Sequence, residues 1–240
     1  MIIDERKQDL PFIIYRSSSI ILTMNRPEDR ISIRALHGVN TLLARVYHNL
    51  KILHPSMLPH NGPAIVVCNH ISPLDPTLIQ SACRYRLITW MMAKEYMDLP
   101  VLGSAFRLLG VIPVDRGSRE TGPLRTALRQ LKEGRIIGIF PEGKIPDTAD
   151  GNMLDFQPGV ALMAIKANVP VYPAYLDGTQ RNKQMVRAML QRSSSVISFG
   201  PEVIFDRKDT SKESIDAATA KIKSAVQLLR IDVDAHRKGL

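Results

Sequence analysis

A chain of 240 residues, 45% hydrophobic and 23% charged, suits one globular α/β domain with room for a core and a pocket. Its net charge of +9 fits an anionic partner, yet 5% aromatics with a single Trp, and no RNP-like strand or zinc-finger spacing, argue against the specific nucleic-acid modules. Two cysteines, Cys68 and Cys83, form neither a disulfide framework nor a Cys-x-x-Cys pair, which points to a reducing cytosol.

No apolar run reaches the roughly 18 residues needed to cross a bilayer. The opening MIIDERKQDL is acidic and mixed, unlike a signal peptide. Within residues 1–30, FIIY and SIILTM read as short strands or an apolar surface hairpin. Residues 32–53 then predict an amphipathic helix. Ile33, Leu36, Leu43, Val46, Leu50 and Leu53 share its apolar face, while Arg34, Arg45 and Lys51 fall mostly elsewhere. That face is expected to pack on the core; the alternative is a helix lying on anionic lipid.

From there β and α signals alternate. Strands are expected over 63–68, 87–92, 111–114, 135–140, 169–176, 195–199 and 202–205. Helices are expected over 76–84, 100–109, 122–133, 158–167, 183–191 and 211–230. Short apolar strands between helices predict an α/β fold with a mostly parallel, mixed sheet flanked by helices. Function in such sheets gathers at the carboxyl ends of the strands.

Four stretches carry candidate chemistry. In NHISPLDP (69–76), Asp75 before Pro76 has the form of a helix start, with Asp at the N-cap. His70 sits past the end of a strand, and the loop between them can fold the Asp75 carboxylate back to the imidazole. A ring so held keeps one tautomer, and its other nitrogen can accept a proton. Ser72 lies in no Gly-x-Ser-x-Gly elbow. Cys68 reads as a buried small hydrophobe rather than a nucleophile. The six histidines lack metal-ligand spacing, so no metal is expected. Direct activation of a substrate hydroxyl is what remains.

In GVIPVDRGSR (110–119), a strand ends at Asp115-Arg116. The guanidinium is a planar fork suited to phosphate, or else this is an ordinary surface turn. In RIIGIFPEGKIPD (135–147), Pro141 forces the chain out of the sheet, and Glu142-Gly143-Lys144 turns outward. Lys144 would add charge beside Arg116, and Glu142 would meet a substrate hydroxyl or brace a basic side chain. NVPVYPAYLDGT (168–179) reads as wall rather than chemistry.

In this order the four stretches resemble the blocks of the glycerolipid acyltransferases, the 1-acylglycerol-3-phosphate acyltransferases and their relatives. NHISPLD matches Asn-His-x4-Asp, VIPVDR the strand ending in Arg, FPEG the third block, and VPVYP the fourth. The resemblance covers about residues 60–205. It implies His70 as general base, Asp75 as its orienter, and Arg116, Glu142, Gly143 and Lys144 at the acceptor, with Asn69 and Lys94 also binding substrate. Where the family usually continues with Thr-Arg-Ser, this chain has Lys-Ile-Pro, which bears on the acceptor's head group.

It further implies an N-terminal segment over 1–58 and an acyltransferase domain over 59–240. The implied reaction moves a fatty acyl group from a thioester to the free hydroxyl of a lysophospholipid, 1-acyl-glycerol-3-phosphate first. Alternatives are glycerol-3-phosphate or another acceptor, and a non-catalytic protein that binds anionic membranes. No bound cofactor is implied; acyl-CoA or an acyl-carrier protein would be the co-substrate. Nucleic acid is not an expected partner. The expected location is cytoplasmic, peripheral on the inner face of the membrane.

Overall fold

The computed structural model describes residues 30–100, 102–115, 121–146, 153–181 and 184–239. Arg116 and the apolar stretches FIIY and SIILTM lie outside the described residues. Among the described residues, one sheet holds β1 (Lys51–Ile52), β2 (Ala64–Cys68), β3 (Ile88–Ala93), β4 (Ile112–Val114), β5 (Ile136–Ile139), β6 (Val171–Asp177) and β7 (Val196–Phe199). Their spatial order is β1-β7-β6-β2-β5-β3-β4. From β6 to β4 the strands run parallel; β7 is antiparallel to β6, and β1 pairs with β7 in parallel. The sheet thus takes in residues ahead of 59.

The central position of β2 follows from its composition. A strand covered on both faces needs a continuous apolar run, and AIVVC is buried at every position. Ile65 and Val67 face a core shared with α4 (Gly122–Lys132), α5 (Gly159–Ala167) and α7 (Lys212–Lys238). Ala64, Val66 and Cys68 face the opposite core, closed by α1 (Ile31–Val46), α2 (Asp75–Ala82) and α6 (Met185–Leu190). Burying each such Ile or Val side chain stabilises the fold by about 1.5–3 kcal/mol. A last helix, α3 (Leu102–Leu108), follows a 3-10 turn over Lys94–Asp98.

Four expectations need correction. The helix expected over 32–53 stops at Val46, because Asn49 takes a left-handed φ of 40° and turns the chain into β1. Leu50 and Leu53 therefore leave its face. The remaining apolar face does not pack on the core either. Ile33 and Ala44 are buried, and Asn40 donates to the Thr77 carbonyl of α2 at 2.8 Å. Leu36, Val39, Leu42, Leu43 and Val46 are exposed, Val46 by 75%. Ala44 joins the core on this side of the sheet and Asn40 bonds α2, so it is a mixed face of α1 that turns inward.

Residues 202–205 form no strand. Gly200 and Val203 still donate to Pro173 and Val171 of β6, but Pro201 has no N–H to continue the ladder. Helix α7 runs past 230 to Lys238, where left-handed Gly239 (φ 74°) returns its N–H to Ala235 and His236.

One glycine has a steric role inside the sheet. A Cβ on Gly138 of β5 would lie 2.5 Å from Cε3 of Trp90, so the indole rests directly on that backbone. Gly138→Ala is expected to lower stability by about 1–3 kcal/mol through overpacking, read as a lower thermal midpoint. An unchanged midpoint would show that the indole is free to shift.

Candidate active site

The site forms where the parallel strands end. After Cys68 the chain leaves β2 through Asn69, which is 2% exposed. The Asn69 amide donates to the Leu176 carbonyl at 2.9 Å and accepts from the Leu176 N–H at 2.9 Å. This reciprocal pair joins β2 to β6 just past their last ladder position, Cys68↔Ala174. Asn69 is thus turned to the β6 backbone, not to a substrate.

Asp75 is fully buried, and it does not cap α2. Leu74 holds the N-cap position, while the Asp75 carboxylate bends back over its own loop. Its Oδ2 accepts from Ile71 N–H at 2.7 Å, Ser72 N–H at 2.8 Å and the His70 Nδ1 at 2.9 Å. Its Oδ1 accepts from the Thr179 hydroxyl at 3.2 Å. A buried charge needs such donors, and here they dictate the loop's shape.

With Nδ1–H committed to Asp75, Nε2 is the His70 nitrogen left to take a proton. The His70 ring stacks on Phe140 at 4.0 Å and 13° between planes, and Phe140 stacks on Trp90 at 4.7 Å and 12°. The column fixes the plane of the imidazole. His70 opens onto a cavity of about 180 Å³ walled by Pro76, Met91, Met92, Ile139 and Met185. Gly143, in the left-handed region at φ 72°, forms part of the same wall.

Glu142 is buried, with both oxygens committed. Oε1 accepts from the His70 N–H at 2.9 Å and Oε2 from the Leu154 N–H at 2.8 Å. Burial holds its carboxyl pKa above the ordinary carboxylate value, although the two N–H groups pull against that rise. Glu142 therefore braces backbone rather than a basic side chain, and it ties the His70 loop to the turn after β5.

Two of the expected cationic residues, Lys94 and Lys144, are placed less centrally. Ala93 and Val114 line the cavity, and the residues that follow them, Lys94 and Asp115, form an ion pair at its rim. Lys144 is exposed beside Gly143 and contributes nothing to the cavity wall. Among the described residues, that wall contains neither Lys nor Arg.

Two other nucleophiles are disfavoured. Burial, then the charges of Asp75 and Glu142, push the Cys68 thiol well up, so it stays protonated. Ser72 is fully buried, and its hydroxyl accepts from the Leu74 N–H within the loop. Sequence reasoning missed Thr179 and the Trp90–Phe140–His70 column, whose members are brought together from different strands. For Thr179 the only signal was a turn after a strand.

A mostly parallel-stranded α/β protein with a buried His–Asp pair opening onto an apolar cavity has the geometry in which an imidazole can draw a proton from a group held among hydrocarbon. Residues 49–177, more than half of the chain, match the family model described as Acyltransferase. The chain belongs to this acyltransferase family.

Among relatives, it is 25% identical over 138 residues to the 1-acyl-sn-glycerol-3-phosphate acyltransferase of Bacillus subtilis, covering 58% of this chain and 67% of the relative. With the enzyme of that name from Streptococcus pneumoniae it shares 25% over 205 residues, or 84% and 74% of the two chains. With a chloroplastic one from Brassica napus it shares 32% over 120 residues, or 49% of this chain and a third (33%) of that protein. The crystal structure of the 1-acyl-sn-glycerophosphate acyltransferase of Thermotoga maritima superposes with a TM-score of 0.66 at 23% identity, over 88% of this chain and 85% of that one. That likeness concerns the fold.

Cys68→Ala is expected to leave acyl transfer intact, measured as thiol release from an acyl thioester; loss of turnover would restore the cysteine as nucleophile. Glu142→Gln exchanges an acceptor for a donor facing a backbone N–H. It should cost about 1–3 kcal/mol of stability in a denaturant titration and lower turnover with it. If neither moves, the brace contributes nothing.

Proposed function

We infer that the chain moves a fatty acyl group from a thioester to the free hydroxyl of a lysophospholipid, 1-acyl-glycerol-3-phosphate in the first place, giving phosphatidic acid. The observation that carries this reading is the His70–Asp75 pair, at 2.9 Å, facing an apolar cavity at the strand ends. The names of the relatives supply the acceptor.

In this mechanism His70 Nε2 removes the hydroxyl proton as the acceptor oxygen bonds to the thioester carbonyl carbon. The tetrahedral adduct collapses by breaking the C–S bond, and His70 returns the proton to the leaving thiolate. Asp75 holds the tautomer and offsets the charge on the imidazolium. No acyl-enzyme is needed, because ordering two substrates in one cavity already removes much of the entropic barrier.

The oxyanion requires donors from elsewhere than the first loop. The N–H groups of His70, Ile71, Ser72, Leu74 and Asp75 are all spent, on Glu142, Asp75 and Ser72. The Gly143 N–H is likewise engaged, on the Phe140 carbonyl at 3.1 Å. The acyl chain would run from the cavity past Tyr96 and Met185 into an adjoining groove of about 730 Å³, which Leu99, Val186 and Leu190 also line.

A place on the surface of an anionic bilayer belongs to the same reading. No helix among the described residues is long and apolar enough to cross a membrane. The exposed stripe Ile31, Leu36, Val39, Leu42, Leu43 and Val46 of α1, with exposed Arg34 and Arg45 on the same helix, is the chemistry of an interfacial helix.

The decisive experiment is His70→Ala with a panel of acceptors and one acyl-CoA. Transfer to 1-acyl-glycerol-3-phosphate should fall by at least about a hundredfold. Turnover at the wild-type rate removes His70 from the chemistry. Preference of the unaltered protein for glycerol-3-phosphate, or another acceptor, overturns the substrate assignment alone. Leu42→Glu with Val46→Glu should abolish flotation with vesicles containing phosphatidylglycerol; undiminished flotation would move the membrane contact off α1.

A further inference from the structure

We infer that Thr179 is a positioning residue for the acyl transfer, holding the Asp75 carboxylate by its second oxygen, and that the turn after β6 is the element that sets it. The inference rests on the reading of His70 as base.

The two oxygens of Asp75 are held differently. Oδ2 has three donors, all from residues 70–72 of its own loop. Oδ1 receives the Thr179 hydroxyl from 104 positions away. An ionised carboxylate only accepts, so the hydroxyl hydrogen lies on the Thr179 side of this bond. A carboxylate gripped by one oxygen can still pivot about it; a donor to the other oxygen, from a separate strand, fixes its plane. That plane sets the angle at which Oδ2 meets His70. Thr179 is 7% exposed, and water does not readily replace its hydroxyl.

The turn that presents Thr179 is built for little movement. Gly178 is left-handed at φ 83°, and a Cβ there would lie 2.0 Å from the Ser194 carbonyl oxygen. Arg237, in the last turn of α7, meets Asp177 Oδ2 at 3.1 Å through Nε and the Ser194 carbonyl at 3.1 Å through Nη1. One guanidinium thus joins the strand end before Thr179 to the chain entering β7. The Acyltransferase match ends at Asp177, so Thr179 lies beyond it.

Thr179→Val keeps the side chain's shape and removes its donor. It should lower kcat/KM for acyl transfer by on the order of tenfold, through kcat rather than KM. Asp75, having lost a donor, becomes a stronger base and holds the proton on His70 more firmly. The acid limb of the kcat/KM profile should therefore move up by about half a pH unit. The other titratable groups facing this pair are Cys68 from β2 and Glu142 from the turn after β5, with Asp177 and Arg237 behind Thr179; all stay in place.

Thr179→Ser, which retains the hydroxyl, should rescue both the rate and the limb. In an Asp75→Asn background, Thr179→Val should cost little more, because its effect passes through the carboxylate. Wild-type turnover in Thr179→Val overturns the inference. So does a rate loss with an unmoved acid limb, or one that persists undiminished in the Asp75→Asn background. If the valine variant does not fold, Thr179→Ala against Thr179→Ser makes the same comparison. Failure of the underlying reading is separate: it shows as full activity in His70→Ala, whatever Thr179 does.

Discussion

Asp75 is a carboxylate with no exposed surface, and a charge so placed persists only where donors surround it. Two backbone N–H groups, an imidazole and a hydroxyl converge on it. Meeting that demand shapes the site. Residues 70–72 must curl around the carboxylate, which brings His70 Nδ1 into reach and leaves Nε2 toward the cavity. The same demand explains why Asp75 opens α2 without capping it: its oxygens are already engaged behind the helix.

Glu142 repeats the principle one strand away. Its two oxygens are committed to N–H groups of His70 and Leu154, so the turn after β5 is tied both to the loop after β2 and to the chain entering α5. Of the two buried acids, Asp75 shapes its own loop and links it to Thr179 after β6, and Glu142 links that loop to the turn after β5. The imidazole plane is set by a third device, the column His70–Phe140–Trp90, which stands over the bare backbone of Gly138. This combination places the His70 imidazole against a wall of hydrocarbon with little freedom to turn. Preorganisation of that kind costs nothing at the moment of reaction.

Much of the architecture was readable in the chain. The run AIVVC announced a strand covered on both faces, and Pro141 marked where β5 must leave the sheet. The His70–Asp75 spacing suggested a pair because a short loop cannot separate its ends far. Roles that depend on distant partners were not readable. Asn69 and Glu142 looked like residues for a substrate and turned out to be spent on backbone, since the groups that occupy them lie at Leu176, Leu154 and the His70 N–H. Helix α1 was amphipathic by pattern, but periodicity says only that two faces differ. The face that meets α2 is the mixed one carrying Asn40, bonded to the Thr77 carbonyl, and buried Ala44.

By itself, the sequence determined the order of the elements, the mostly parallel sheet and the proximity of a histidine to an acid. These follow from local periodicity, turn chemistry and short chain separations, which carry little entropic ambiguity. Only the tertiary structure decided what fills the second oxygen of Asp75, which plane the imidazole adopts and which side chains serve backbone instead of a ligand. Those outcomes require groups from separate strands and loops, up to 107 positions apart, to meet in one buried volume, and no local pattern encodes which of them will arrive.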